Sequence, residues 1–185
     1  MKLRLLQSGL LAIALGAGTL TASAQTAPAE PKREFRSSWV AAMGIDWPKS
    51  TIEATAKQQL INYLDKLKAA NFTGACIHVR PNADALYKST LEPWSADVSG
   101  TRGKDPGWDP LEFAVEECHK RGLECYAWVN PYRVTARSHT YNTDFDKQWK
   151  ANGWLISYGS WTSFNPGDQG ARRHCLDAIK EIYTN

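Results

Sequence analysis

Four stretches of the chain carry residues of the kind that recognise or transform a ligand. His78 and Arg80 stand two apart, so on an extended strand they share one face. Asp84 and Tyr87 follow within a few residues. Tyr126, Trp128 and Asn130 repeat the two-residue spacing, with Tyr132 and Arg133 directly behind them. Asp46 and Trp47 come after the first strand-like run, and Asn165 stands ahead of the last helical pattern. Together these supply amides, guanidinium groups, two carboxylates, two indole faces and several phenol rings. A sugar offers hydroxyls and apolar C–H faces. Trp and Tyr rings suit the apolar faces, and Arg, Asn and Asp suit the hydroxyls. The set fits a carbohydrate better than a nucleotide.

Each residue also has a plainer reading. Arg80 could pair with a structural carboxylate, Trp128 could fill a core, and His78 could be a hydrogen-bonded interior histidine. Asn130-Pro131 and Asn165-Pro166 could be turns. Glu116, Glu117 and the charges between Lys57 and Lys68 read as solvated helix faces. Other chemistries find no support. The four His lack zinc-type spacing, no Cys pair stands two to four apart, and no Gly-x-Ser-x-Gly elbow is present. No metal and no cofactor is expected. A glycosidase needs two carboxylates flanking the scissile bond. Only Asp46 and Asp84 lie near strand ends, which leaves the catalytic pair unassigned and Asp84 a weak candidate.

The elements that must position these residues alternate. Phe35 to Ala41 reads as a strand. Ser50 with Glu53 forms a capping-box pattern ahead of a helix whose Leu60, Tyr63, Leu64 and Leu67 recur at helical spacing. Gly74 to Arg80 is a second strand, stopped by Pro81. The long stretch from Asn82 to Trp108 holds Leu86, Tyr87, Trp94 and Trp108, and reads as an ordered binding loop. Asp109-Pro110 opens a helix with Leu111, Ala114, Val115 and Cys118 inward, and Gly122 ends it. Cys125 to Val129 is a third strand, followed by a polar, aromatic loop. A short helix is expected around Asp144 to Ala151, then a hairpin turning at Gly159-Ser160. Asp168 caps a last helix with Cys175, Ile179 and Ile182 on one side. The strand–helix alternation implies parallel βαβ units. A flavodoxin-like open sheet fits the length, but no Gly-rich phosphate loop follows the first strand.

Composition narrows the setting. Lys2 and Arg4, an apolar run from Leu10 to Leu20 and Ala22-Ser23-Ala24 make residues 1–24 a secretory signal peptide. Residues 25–31 are Ala/Pro-rich and read as a tether, and residues 32–185 form the domain. Cleavage leaves about 160 of the 185 residues, enough for one real core. An exported protein follows, periplasmic or secreted, with no membrane anchor after cleavage. The formal charge of +3 includes Lys2 and Arg4, so the remainder is nearly neutral and nucleic acid is a poor partner. Cys76, Cys118, Cys125 and Cys175 permit three pairings but fall on strand interiors and helix faces, where free buried thiols are common.

Several of these segments resemble one family in order along the chain. They are Arg33 to Arg36 through Trp39-Val40, Ile45-Asp46-Trp47-Pro48, His78-Val79-Arg80-Pro81 and Asp84 to Tyr87 with Ser89. Pro93-Trp94-Ser95, Pro106 to Leu111, His119 to Glu124, Ala127 to Arg133 and Asn165-Pro166-Gly167 continue the match. The chain is similar to the glycosyl-hydrolase-like 10 family. The resemblance implies an exported TIM-barrel glycosidase acting on a polysaccharide, and some relatives are linked to peptidoglycan glycan strands stripped of stem peptides. It implies that Arg80, Asp84, Tyr87, Trp128, Asn130 and Arg133 line a sugar cleft. A (β/α)₈ barrel takes ~250 residues, so the fold expected is α/β, the N-terminal portion of a barrel, ending before the carboxylate-rich strand end that carries the chemistry. On that expectation the fragment alone is inactive. A non-catalytic exported carbohydrate-binding domain is the alternative.

Overall fold

The computed structural model of the chain describes residues 34–136 and 143–184, so the expected signal peptide and tether lie outside the described residues. Three strands form a parallel sheet in the order β1 (Ser37–Val40), β2 (Gly74–Arg80), β3 (Glu124–Val129). Trp39 lies beside Cys76, Cys76 beside Tyr126 and His78 beside Trp128. Because side chains alternate along a strand, this register divides the sheet into two faces. Val40, Ile77 and Val79 share one face and are buried against Leu60, Leu64 and Leu67 of α1 (Glu53–Ala69) and Ala114 and Cys118 of α3 (Pro110–Lys120). Trp39, Tyr126 and Trp128 share the other, where Trp39 and Tyr126 are exposed.

Local chemistry accounts for most of the element ends. Asp109 Oδ1 accepts from the backbone N–H of Leu111 and Glu112, with Pro110 at the first helical position, as the sequence implies. Gly122 takes the left-handed φ of +62° that turns α3 back toward β3. The capping box expected at Ser50 does not form. Ile52 occupies the cap of α1 without a side-chain bond, and Ser50 Oγ accepts from Ile52 N instead. Glu117 is not solvated: it is buried and paired with Lys120 and Arg121.

The segment from 82 to 108 is ordered, and most of it is scaffold. It folds back through an Ala85–Trp94 bridge and one helical turn, α2 (Ala96–Ser99), and Leu86 and Tyr87 enter the core. Beyond β3 the polar loop of the sequence reading contains a strand, β4 (Arg133–Ala136). It pairs with the expected hairpin β5 (Leu155–Tyr158) and β6 (Trp161–Phe164) in an antiparallel sheet ordered β4-β6-β5. α4 (Asp144–Ala151) starts on a capping box between Thr143 and Asp146. Trp149, Phe164, Val134 and Ala83 form a second core with Ala171 and Cys175 of α5 (Gln169–Thr184). Asp168 Oδ1 caps α5 at Ala171 N. The buried line of α5 runs through Ala171, Cys175 and Ala178, whereas Ile179, expected inward, is exposed. All four cysteines are free. The fold is α/β, and the three parallel strands stand as an open sheet among the described residues.

Candidate functional site

The carboxyl ends of β2 and β3 meet at a small polar network. Trp128 Nε1 donates to Asn130 Oδ1 at 3.1 Å, and Asn130 Nδ2 donates to the carbonyl of Pro81 at 3.0 Å. An indole N–H can only donate, so it fixes which end of the Asn130 amide is oxygen. Asn130 Nδ2 therefore donates to His78 Nε2, 2.9 Å away. His78 must then carry its proton on Nδ1, which has no partner among the described residues. Burial, with Arg133 adding repulsion, lowers the His78 pKa to about 4. At neutral pH the ring is uncharged and accepts from Asn130 through Nε2. It stacks flat on Trp128, centroids 3.7 Å apart and planes 6° apart, and Trp39 meets Trp128 edge-on at 4.4 Å.

Around this centre the residues become accessible. Trp39 is 58% exposed. Arg133 lies over the Trp161 ring at 5.4 Å and reaches Met43 Sδ at 3.7 Å. Asp46 is exposed, and its carboxylate accepts from Ala41 N at 3.2 Å, closing the turn after β1. The result is an aromatic surface with amide, imidazole and guanidinium groups at its edge. Trp39 was not singled out from sequence. The Trp39-Val40 pair shows a strand, and only the register to Cys76 shows which of the two faces outward.

Other expected site residues lie inside. A register shift between His78 and Arg80 sets Arg80 beside Val129, so the regular alternation of the strand is interrupted there. Arg80 is fully buried, with Nε and Nη2 on Glu92 and Nη1 on the carbonyls of Asn130 and Pro131. Asp84 is buried 3.0 Å from Arg102, which also holds Asp146 at 3.1 Å. Burial pushes the Asp84 carboxyl up even though Arg102 opposes it. Tyr87 is buried, its hydroxyl directed at the carbonyl of Ala178, and Trp47 belongs to the main core. Asn165 Oδ1 accepts from Gly167 N, making the turn into α5 rather than joining the cluster. Of the two carboxylates named as catalytic candidates, Asp46 is exposed at the rim and Asp84 is locked in an ion cluster.

Hollows also open elsewhere on the surface of the described residues. One of about 480 Å³ runs along β3, lined by His119 and Gly122 through Tyr126. Among the described residues no group of three or more His, Cys, Asp or Glu is placed to hold a metal, and no helix is long and apolar enough to cross a membrane.

The chain belongs to the glycosyl hydrolase-like 10 family, whose model matches residues 34–183. It is 38% identical over 162 residues to glycosyl hydrolase YngK of Bacillus subtilis (strain 168), covering 84% of this chain and 32% of that protein. It is 35% identical over 119 residues to glycosyl hydrolase DigH of Escherichia coli (strain K12), covering 59% of this chain and 27% of that protein. The chain thus spans about a third or less of the length of these curated relatives.

Proposed function

We propose that this chain is the N-terminal portion of an exported glycoside hydrolase that cleaves a polysaccharide, with Trp39 and Trp128 as the surface on which sugar rings rest. The observation that carries the reading is the exposed Trp39 set edge-on to the half-buried Trp128 beside Asn130 at the strand ends, in a member of a glycosyl hydrolase-like family. Indole faces take the apolar side of a pyranose. Arg133 and Asp46 at the rim supply a donor and an acceptor for hydroxyls. Arg80, Asp84 and Tyr87 serve by holding the loop and strand ends in place.

A barrel is the architecture proposed for the longer protein. A parallel sheet is ordinarily covered on both faces, and here one face carries exposed Phe35, Trp39 and Tyr126. Further strands pairing at the outer edge of β3 would enclose that face as a barrel interior. The catalytic carboxylates are then expected on those strands. The substrate proposed is the glycan strand of peptidoglycan without stem peptides, and the compartment is the periplasm or the exterior, both on the resemblance.

The test is to express the gene to its natural stop codon and incubate the product with purified, stem-peptide-free glycan strands. Release of reducing ends supports the hydrolase. Binding without release supports a non-catalytic carbohydrate-binding domain. If the product neither binds nor cleaves the strands, the proposal fails. Recovery of protein beginning at Gln25 from a periplasmic fraction tests export.

A further inference from the structure

A buried acid lies beneath the strand ends that the proposed glycan surface does not itself touch. Glu92 is in the connection between β2 and α2 and is almost fully buried. It accepts from Arg80 Nε at 2.7 Å and from Arg80 Nη2, and Oε1 also meets His174 Nε2 of α5 at 3.1 Å. Its own backbone N–H is held by Ser89 Oγ at 3.0 Å. Burial alone would raise the Glu92 pKa, but Arg80 and His174 outweigh it and hold the carboxyl below its ordinary value.

The geometry continues beyond Arg80. A guanidinium is a rigid planar fork, so binding Nε and Nη2 to one carboxylate fixes the plane and the direction of Nη1. That nitrogen donates to two consecutive carbonyls, Asn130 at 2.6 Å and Pro131 at 2.9 Å. The Asn130 side chain in turn holds Trp128 Nε1 and His78 Nε2. Asn130 N also returns to the carbonyl of Arg80 at 3.0 Å, closing the ring of contacts.

We propose that Glu92 is a positioning residue for the sugar-binding surface: through Arg80 it fixes the main chain at Asn130 and Pro131, and so the angle at which Trp128 and His78 are presented. The assignment rests on the glycan reading given above for the same site. Glu92 touches no substrate. It acts as an anchored base plate, held by α5 on one side and by Ser89 on the other, and the rigidity passes upward through one arginine.

The experiment uses the full-length protein with Glu92→Gln and, separately, Arg80→Lys. The glutamine weakens the grip on the fork. The lysine keeps a cation for Glu92 but loses the planar second arm that reaches the carbonyls. Three quantities are read: the melting temperature, the Trp128 indole N–H resonance (assigned with Trp128→Phe), and the dissociation constant for stem-peptide-free glycan strands. Both variants are expected to shift the indole resonance and weaken binding roughly tenfold, the scale on which a small misplacement shows. A folded variant with a lower melting temperature but an unmoved resonance and unchanged affinity makes Glu92 merely structural and overturns the proposal. If Glu92→Gln does not fold, Arg80→Lys decides. If the wild-type protein binds no glycan strand, the glycan reading fails by itself, and the indole resonance still reports whether Glu92 sets Trp128.

Discussion

The two faces of the parallel sheet are built from the same three strands and obey opposite rules. One is sealed by α1 and α3, with Val40, Ile77, Val79 and Leu64 all but inaccessible to solvent. The other leaves Phe35, Trp39 and Tyr126 exposed, with His78 and Trp128 stacked between them and the polar strand ends. Contiguous exposed apolar surface marks an interaction site more often than an accident. The sealed face is aliphatic and interchangeable in kind. The open face is aromatic and hydrogen-bonded in a specific order, Trp128 to Asn130 to His78. On the proposed reading, stability and recognition are divided between alternate residues of one strand.

Substitutions can sharpen or break that division, and the largest effect belongs to the sealed face. Leu64→Ala leaves a cavity between α1 and the sheet and is expected to cost about 2–5 kcal/mol in chemical denaturation, with glycan affinity of the folded protein unchanged. A loss under about 1 kcal/mol would show that the sealed face is not the core.

The next effect comes from pH. The folded pKa of His78 is about 4 against an ordinary 6.5. Between those values the unfolded chain binds a proton that the folded chain refuses, so stability is whole above the upper value and falls as pH drops through the window. The loss by pH 4 is about 3 kcal/mol. Urea midpoints at pH 7, 5.5 and 4.5 measure it, and His78→Gln should flatten that part of the curve.

On the open face the expectation reverses. Trp39→Ala should change the melting temperature little, because the ring is 58% exposed, yet weaken glycan binding by about tenfold, or about 1.4 kcal/mol. Equal losses in both would dissolve the contrast between the faces. The smallest effect is Asp109→Ala, which removes the cap of α3 and should cost about 1 kcal/mol with no change at the aromatic surface. Thermal melts and glycan titration of the same sample decide it.

Much of this was legible because it depends on neighbours in the chain. Asp109-Pro110 caps a helix, and Gly122 turns one. Gly74–Arg80 alternates and stops at Pro81, and Gly159-Ser160 folds a hairpin, all through local backbone preferences. β4 is hard to read from the sequence because its alternation, Arg-Val-Thr-Ala, is only four residues long and lies in a polar, aromatic stretch, and it is pairing with β6 that makes it a strand. Trp128, Asn130, His78 and Arg133, named from their spacing and order, lie together at the strand ends. Arg80, Asp84, Tyr87 and Trp47 were also named, and they turned out to be interior.

By itself, then, the sequence determined the α/β alternation, the family and the strand ends at which polar and aromatic residues gather. Those are properties of short segments and their order. Only the tertiary structure decided which polar residues face outward. A two-residue period says that side chains share a face but not what covers it, and Arg80 at the end of β2 is taken up by Glu92. The partners that take up Arg80, Asp84 and Tyr87 lie 12, 18 and 91 residues away, at Glu92, Arg102 and Ala178. Whether a charge in this chain binds a ligand or another part of the protein is settled by contacts of that range.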